Sequence, residues 1–215
     1  MLEVWGRNNS FNVQKVLWCC EELEIPFQRY DAGGLYGGTN EDDYLARNPT
    51  GLVPTIADGD LTLWESNTIV RYLSAKYGAG SLWPEDPAER ALADKWMDFQ
   101  LGTLFPAFKD ALLGLVRTLP EQRDSERIEA SARKSGEALT VLAAHLRDNE
   151  YVAGPSLTMG DIALGSLVYR WLSLDIERPN LPALGTWHGR LEGRPAYQRT
   201  VMVSFAMEGP RNAGD

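Results

Sequence analysis

The chain has 215 residues, room for one large domain or two small ones, and its 44% hydrophobic and 24% charged residues are ordinary for a globular protein. Its formal net charge of −9 argues against nucleic-acid binding, which needs a basic surface, and the scattered acids serve solubility rather than steering. No apolar stretch approaches the roughly 18 to 20 residues of a membrane span, MLEVWGRNN lacks a signal-peptide core, and the adjacent Cys19 and Cys20 give no disulfide framework, so a reducing cytoplasm is expected.

In chain order, Leu2 to Trp5 is a strand candidate and Gly6 to Ser10 a polar loop. From Asn12 onward Val13, Val16, Leu17, Cys20 and Leu23 recur at helical spacing, and Pro26 stops the pattern. Phe27 to Asp31 reads as a second strand. A strand–helix–strand order makes the two strands parallel. Gly33 to Arg47 is a long loop with room for one helical turn. Pro54 to Ala57 and Leu61 to Trp64 flank Asp58-Gly59-Asp60, a hairpin signature. Asn67 to Tyr77 carries Ile69, Val70, Leu73 and Tyr77 on one helical face and stops at Gly78. The segment 79–87, rich in Pro and Gly, reads as a linker between a first domain (1–78) and an all-helical second domain (88–215). Helices are expected over 88–105, 108–119 (either separate or a continuation of the first past Pro106), 121–147, 158–172 and 181–191. In the third of these Ile128, Ala132, Ser135, Leu139, Leu142 and Leu146 step by fours and threes. Thr158-Met159-Gly160-Asp161 has capping-box spacing with an acid in the Glu position, a folding feature rather than a chemical one.

Four places carry groups suited to chemistry or binding. The first is Val53-Pro54, where a proline opens a strand and removes a ladder donor. It is either an edge proline or a site where the Val53 backbone faces an extended ligand. The second is Glu65-Ser66 at a helix start. Free N–H groups there attract a carboxylate, and Glu65 suits an ammonium; the plainer reading is a capping serine beside a solvated acid. The third is Asn8 to Asn12, where Ser10 presents a hydroxyl at a helix N-terminus without a CxxC motif or a nearby histidine. His145 and His188 are read as structural or exposed, so serine hydrolysis is disfavoured. The fourth is the aromatic set Phe11, Tyr36, Phe105, Phe108 and Trp171, candidates for an apolar pocket, although Trp96, Trp171 and Trp187 also suit a core. Cys20 lies on the buried stripe of the first helix, and Cys19 beside it is read as inert.

The β-α-β, β-β-α order with its strand-opening proline resembles the thioredoxin-like fold, in which that proline is cis. NPTGLVPT, WESNTIVRYLSAKYG and the Ser/Asn loop together resemble the cytosolic glutathione transferases over nearly the whole chain. Ser10-Phe11-Asn12-Val13-Gln14-Lys15-Val16 looks most like bacterial and fungal, theta- or nu-like members with Ser or Thr near the sulfur and Asn two positions on. The resemblance implies a thioredoxin-like α/β domain that binds glutathione as co-substrate, followed by an all-helical domain contributing the electrophile site. It implies Ser10 and then Asn12 as donors to the sulfur, with Asn9 a third candidate. Leu52, Val53 and Pro54 would meet the cysteinyl backbone, and Glu65 and Ser66 the γ-glutamyl end. Asn40, or else Arg47, would meet the glycine carboxylate, and Asp98 is either a second partner of the γ-glutamyl amine, reached across a dimer, or part of a solvated helix face. A cytoplasmic homodimer with a hydrophobic electrophile, a detoxifying role and no metal, nucleic-acid or membrane partner is expected. Peroxide or disulfide reduction is a further activity open to the same thiolate. The competing readings are a glutathione-binding or regulatory protein without turnover, and a purely structural module.

Overall fold

In a computed structural model, residues 1–205 are described; 206–215, the end of the expected helical domain, lie outside them. The chain opens with β1 (Leu2–Trp5), α1 (Phe11–Glu22) and β2 (Phe27–Tyr30). Leu2 and Val4 point inward, and β1 pairs in parallel with β2, Val4 opposite Arg29. The helix starts one residue before Asn12 because Ser10 takes the extended N-cap conformation. It ends well before Pro26. Glu24 adopts a positive φ of 52°, and the N–H groups of Leu23 and Ile25 close back on the carbonyls of Cys19 and Cys20.

The long loop holds a 3₁₀ turn, Gly34–Tyr36, and a short α2 (Asp42–Leu45). Then β3 (Thr55–Asp58) and β4 (Leu61–Trp64) form an antiparallel hairpin, with Gly59 at a φ of 63° in its turn. The sheet order is β2-β1-β3-β4, and β1 pairs with β3 antiparallel. The strand starts at Thr55 rather than Pro54, since a proline has no N–H to give the ladder. The Val53-Pro54 peptide bond is cis. α3 (Ser66–Tyr77) follows, and here the expected cap moves by one residue. Glu65, at a φ of 71°, turns the corner from β4, so Ser66 is already helical and its side chain faces inward.

The second half is helical. Asp86 caps α4 (Pro87–Phe99), accepting from the N–H groups of Ala88 at 2.8 Å and Glu89 at 3.0 Å. The segment from Phe108 continues the helix before it, one of the two arrangements open at Pro106. α4 runs through a π-helical turn, Gln100–Leu104, directly into α5 (Phe105–Val116), and the wider turn accommodates the donor that Pro106 lacks. α6 (Ser125–His145) starts later than residue 121, because Pro120–Gln122 forms a separate 3₁₀ turn and Asp124 provides the cap. α7 (Met159–Ser173), α8 (Pro182–Glu192) and a short unanticipated α9 (Pro195–Thr200) complete the described chain.

α7 is buried almost all round and holds the halves together. Its capping box is present, and the Asp161 carboxylate does more than cap. It accepts from the Thr158 N–H at 2.9 Å, the Val152 N–H at 3.0 Å and the Trp187 indole at 2.9 Å, with no exposure to solvent. At Gly160 a Cβ would lie 2.7 Å from the Ala93 carbonyl oxygen, and at Gly165 it would lie 2.6 Å from the Trp18 ring. These two glycines let α4 and α1 press against α7. One continuous apolar core, from Leu2 to Val201, runs through both halves. No described helix is long and apolar enough to cross a membrane.

Candidate functional site

The first helix begins at the edge of a cleft of about 410 Å³ between the sheet domain and the helices. Its floor and near wall come from the β1–α1 loop and α1 itself: Arg7, Asn9, Ser10, Phe11 and Asn12. The opposite lip is Gly51, Leu52 and Val53. The far wall is α5 and α7, with Phe105, Leu112, Arg117 and Arg170. A helix N-terminus leaves its first N–H groups without helical partners, so this end of α1 is electropositive. Ser10 is buried there, and its side chain makes no capping hydrogen bond, which leaves the hydroxyl to the cleft. Two residues on, Asn12 is fixed through its Oδ1, which accepts from Ser66 Oγ at 3.1 Å.

The lip is held from behind. Asn48 accepts from the Thr50 N–H at 3.0 Å and donates to the Leu52 carbonyl at 2.8 Å; the Tyr44 hydroxyl donates to the same carbonyl at 2.6 Å. Val53 lies just before the ladder, which starts at Thr55, so the Val53 backbone is not consumed by the sheet. Gly33 packs close under this lip: at its φ of 76° a Cβ would meet Val53 Cγ1 at 3.1 Å. A side chain there is disfavoured on both counts.

Below Ser66 lies a group that sequence reasoning missed. Lys15, on α1, is buried, and its ammonium donates to Gln100 Oε1 at 2.7 Å, Asn67 Oδ1 at 3.0 Å and Ser66 Oγ at 3.3 Å. Burial lowers its pKa from 10.5 to about 7, against a smaller upward pull from Glu65. Asn67 in turn donates to the Met97 carbonyl at 2.9 Å. This network ties α1 and α3 to the π-helical turn of the second half. Its only sequence signal is a lysine flanked by residues of the apolar stripe of α1.

Three arginines face the cleft and were also missed. Arg7 follows β1, Arg117 ends α5, and Arg170 lies on α7. Arg170 is the one cation in the largely buried α7, a signal legible in MGDIALGSLVYRWLS. It donates to the Asn9 carbonyl at 2.8 Å and Gln14 Oε1 at 3.0 Å, bracing the loop that carries Ser10. Thr39 is a further lining residue absent from the sequence reading.

The aromatic candidates divide. Phe11 and Phe105 both line the cleft, their rings 5.1 Å apart. Phe108 and Trp171 do not: both are core, Phe108 with no exposure and Trp171 with its indole donating to Ser135 Oγ at 3.0 Å. They fall on the inward stripes of α5 and α7, where helical spacing looks the same for a core residue as for a pocket wall. Tyr36, 57% exposed on its 3₁₀ turn, is not among the residues that line the cleft. Asn40 is exposed and does not line the cleft, although its Oδ1 lies near Gly51. Arg47 is occupied elsewhere, stacking on Trp5 and donating to the Asp43 carbonyl at 2.9 Å. Glu65 is exposed at the corner before α3. Asp98 accepts from Arg71 at 2.7 Å on a helix face. His145 binds the Val152 carbonyl, and His188 is buried against Tyr197, so neither stands at the cleft. Cys19 and Cys20 are buried, and burial pushes the Cys19 thiol up to about 12. A second groove, about 780 Å³, lies between α6 and residues 175–179 and contains none of the sequence motifs. Among the described residues no cluster of three His, Cys, Asp or Glu side chains suits a metal ion.

Comparison with known proteins agrees with this geometry. Residues 5–81 match the family model for the glutathione S-transferase N-terminal domain, and residues 92–195 match that for the C-terminal domain. Glutathione S-transferase GstB of Escherichia coli K12 is 44% identical over 205 residues, covering 94% of this chain and 99% of that protein. Glutathione S-transferase 3 of Zea mays is 30% identical over 207 residues and 93% of each chain. Among solved structures, a theta class glutathione S-transferase from Xanthomonas axonopodis pv. citri with glutathione bound is 48% identical, with a TM-score of 0.93 over 95% of this chain and 99% of that one. This chain belongs to the glutathione S-transferase family.

Proposed function

We propose that this chain binds glutathione along the lip and floor of the cleft and ionises its thiol for attack on a small electrophile. One observation carries the reading: a buried serine hydroxyl, unused by its own helix, stands at the N-terminus of α1 in a cleft whose lip offers a free extended backbone at Val53. A free thiol has a pKa of about 8.5 and is mostly protonated at neutral pH. Ser10 is the first donor to the sulfur and Asn12 the second, with Asn9 beside them; the start of α1 adds its positive end.

On this reading residues 1–78 hold the tripeptide, and the helices from residue 88 complete the electrophile site. The cysteinyl backbone pairs with Val53, flanked by Leu52 and Pro54, in strand-addition style. The γ-glutamyl end lies at the start of α3, its carboxylate on the free N–H groups at Ser66 and its amine toward Glu65. The Lys15 network underneath keeps Ser66 and Asn12 in place. Phe11 and Phe105 give the electrophile its apolar contact. The family resemblance supports a cytoplasmic homodimer with a detoxifying role as the setting for this activity.

Titration calorimetry with glutathione, followed by assays with an aryl halide, an organic hydroperoxide and a mixed disulfide, tests the proposal. Binding with turnover of at least one acceptor is expected, and the acceptor identifies transferase or reductase use of the thiolate. Absence of binding at millimolar glutathione by folded protein refutes it, and binding without any turnover assigns the chain a non-catalytic role.

A further inference from the structure

Although the chain carries 30 acidic residues against 21 basic ones, among the described residues the cleft lining contains Arg7, Arg117 and Arg170 and no aspartate or glutamate. Among the described residues, none of the three arginines forms an ion pair with a carboxylate, whereas Arg29, Arg71, Arg127, Arg194 and Arg199 each do. Two of the three are more than nine-tenths buried: Arg7 is 7% exposed and Arg170 3%. In each, the Nε–H group is buried without a hydrogen-bond partner among the described residues. The Arg7 side chain donates no hydrogen bond to any described residue, and Gly34 makes room for it: a Cβ there would lie 3.2 Å from its Nε.

Such an arrangement is unfavourable by itself. Buried cations are normally paired, and a buried donor without an acceptor carries its full desolvation penalty. Burial, together with the neighbouring charges of Arg7 and Arg117, lowers the Arg170 pKa to about 9, and burial and Arg117 lower that of Arg7. Like charges gathered in a partly desolvated cleft, with no counter-charge among the described residues, fit a ligand that brings one. Arg117 and Arg170 stand with Phe105 and Leu112 on the far wall facing Ser10, and Arg7 lies beside Ser10 in the β1–α1 loop.

We propose that the electrophile taken by this cleft is a small organic molecule bearing a carboxylate, which the guanidinium groups of Arg7, Arg117 and Arg170 hold while Phe11 and Phe105 contact its apolar part. This rests on the glutathione reading above and specifies its second substrate. The reaction on a chloromethyl substrate balances simply. The glutathione sulfur, its proton already released to water, gives a lone pair to the methylene carbon. The C–S bond forms as the C–Cl bond breaks, and chloride departs with the bonding pair. The substrate carboxylate is unchanged and only orients the carbon.

The test compares 4-(chloromethyl)benzoate with 4-(chloromethyl)benzamide, which match in shape and leaving group and differ in charge, each rate normalised to its uncatalysed reaction with glutathione. A charge-assisted contact predicts a kcat/KM preference for the benzoate of about tenfold or more. Arg117, the most exposed of the three, is replaced as Arg117→Gln to keep the fold intact. The preference is then expected to fall severalfold while the KM for glutathione stays constant. Competition by unreactive 4-methylbenzoate but not 4-methylbenzamide gives the same reading from binding alone. Equal rates for the two substrates overturn the proposal. So does an unchanged preference in Arg117→Gln accompanied by a raised KM for glutathione, which assigns the arginines to a carboxylate of the tripeptide. Failure to bind glutathione at all removes the parent reading instead, and this one with it.

Discussion

Replacing Lys15 by methionine keeps the length of the side chain and removes its charge, and the consequence should depend on pH in a defined direction. In the folded protein the ammonium is buried and donates to three side-chain oxygens, of Ser66, Asn67 and Gln100. Gln100 Oε1 retains the Asn67 amide at 3.2 Å in the variant, and Ser66 Oγ still donates to Asn12, but Asn67 Oδ1 loses its donor. Folding lowers the Lys15 pKa from 10.5 to about 7, so the native state holds this proton less tightly than the unfolded chain does. Stability contributed by Lys15 therefore rises with pH between about 7 and 10.5, the window in which the unfolded lysine is charged and the folded one neutral. Between about pH 6 and about pH 8.5 only the part above 7 counts, roughly 1.5 units, which at 1.36 kcal/mol per unit is about 2 kcal/mol. Urea unfolding of both chains at the two pH values isolates the effect, since other titrating groups contribute equally to each. The destabilisation caused by Lys15→Met is expected to be about 2 kcal/mol larger at the higher pH. A difference that is the same at both values, or larger at the lower one, refutes the assignment of a proton-shedding buried lysine.

Ser10→Ala removes one donor to a thiolate, worth roughly 1.5–3 kcal/mol, so the midpoint of the conjugation pH profile should move up by about one to two units. An unchanged midpoint transfers that role to Asn12 or Asn9. Gly160→Ala would set a methyl group against the Ala93 backbone carbonyl, and a net loss of about 1–2 kcal/mol in chemical unfolding is expected despite the better helix propensity of alanine. Asp161→Ala strips the acceptor from the Val152 and Thr158 N–H groups and the Trp187 indole, all buried. A loss of about 3–5 kcal/mol is expected by thermal or urea unfolding, with Asp161→Asn distinctly milder.

Local pattern was enough for most of the architecture. The parallel pairing of β1 and β2 follows from the helix between them, and the β3–β4 hairpin from the glycine turn at residue 59. The capping box at Thr158 and Asp161 and the long stripe of α6 were also legible, because hydrogen bonding and burial there repeat at short sequence intervals. Boundaries were less so. A Pro at position 106 ordinarily stops a helix; here packing against α6 and the Lys15–Gln100 hydrogen bond hold the π-helical turn that carries the chain past it. The cap before α3 moved to Glu65 for a similar reason, since the corner there is set by where β4 ends relative to the helix.

For the site, the sequence by itself determined the polar motifs at Ser10, Val53-Pro54 and Glu65-Ser66, because each is a short-range arrangement of a helix start or strand start. Which aromatics line the cleft, and which cations stand in it, was decided by tertiary structure alone. Phe105 and Phe108 lie three residues apart on one helix, and only the position of α1 opposite them leaves the first at the cleft and buries the second. Lys15 finds its partners 51, 52 and 85 residues away, and Arg170 reaches a loop 161 residues earlier. Contacts at such separations leave no periodic trace in a single chain. They exist because two halves, each legible from local pattern, share one apolar core and enclose between them a space neither half defines alone.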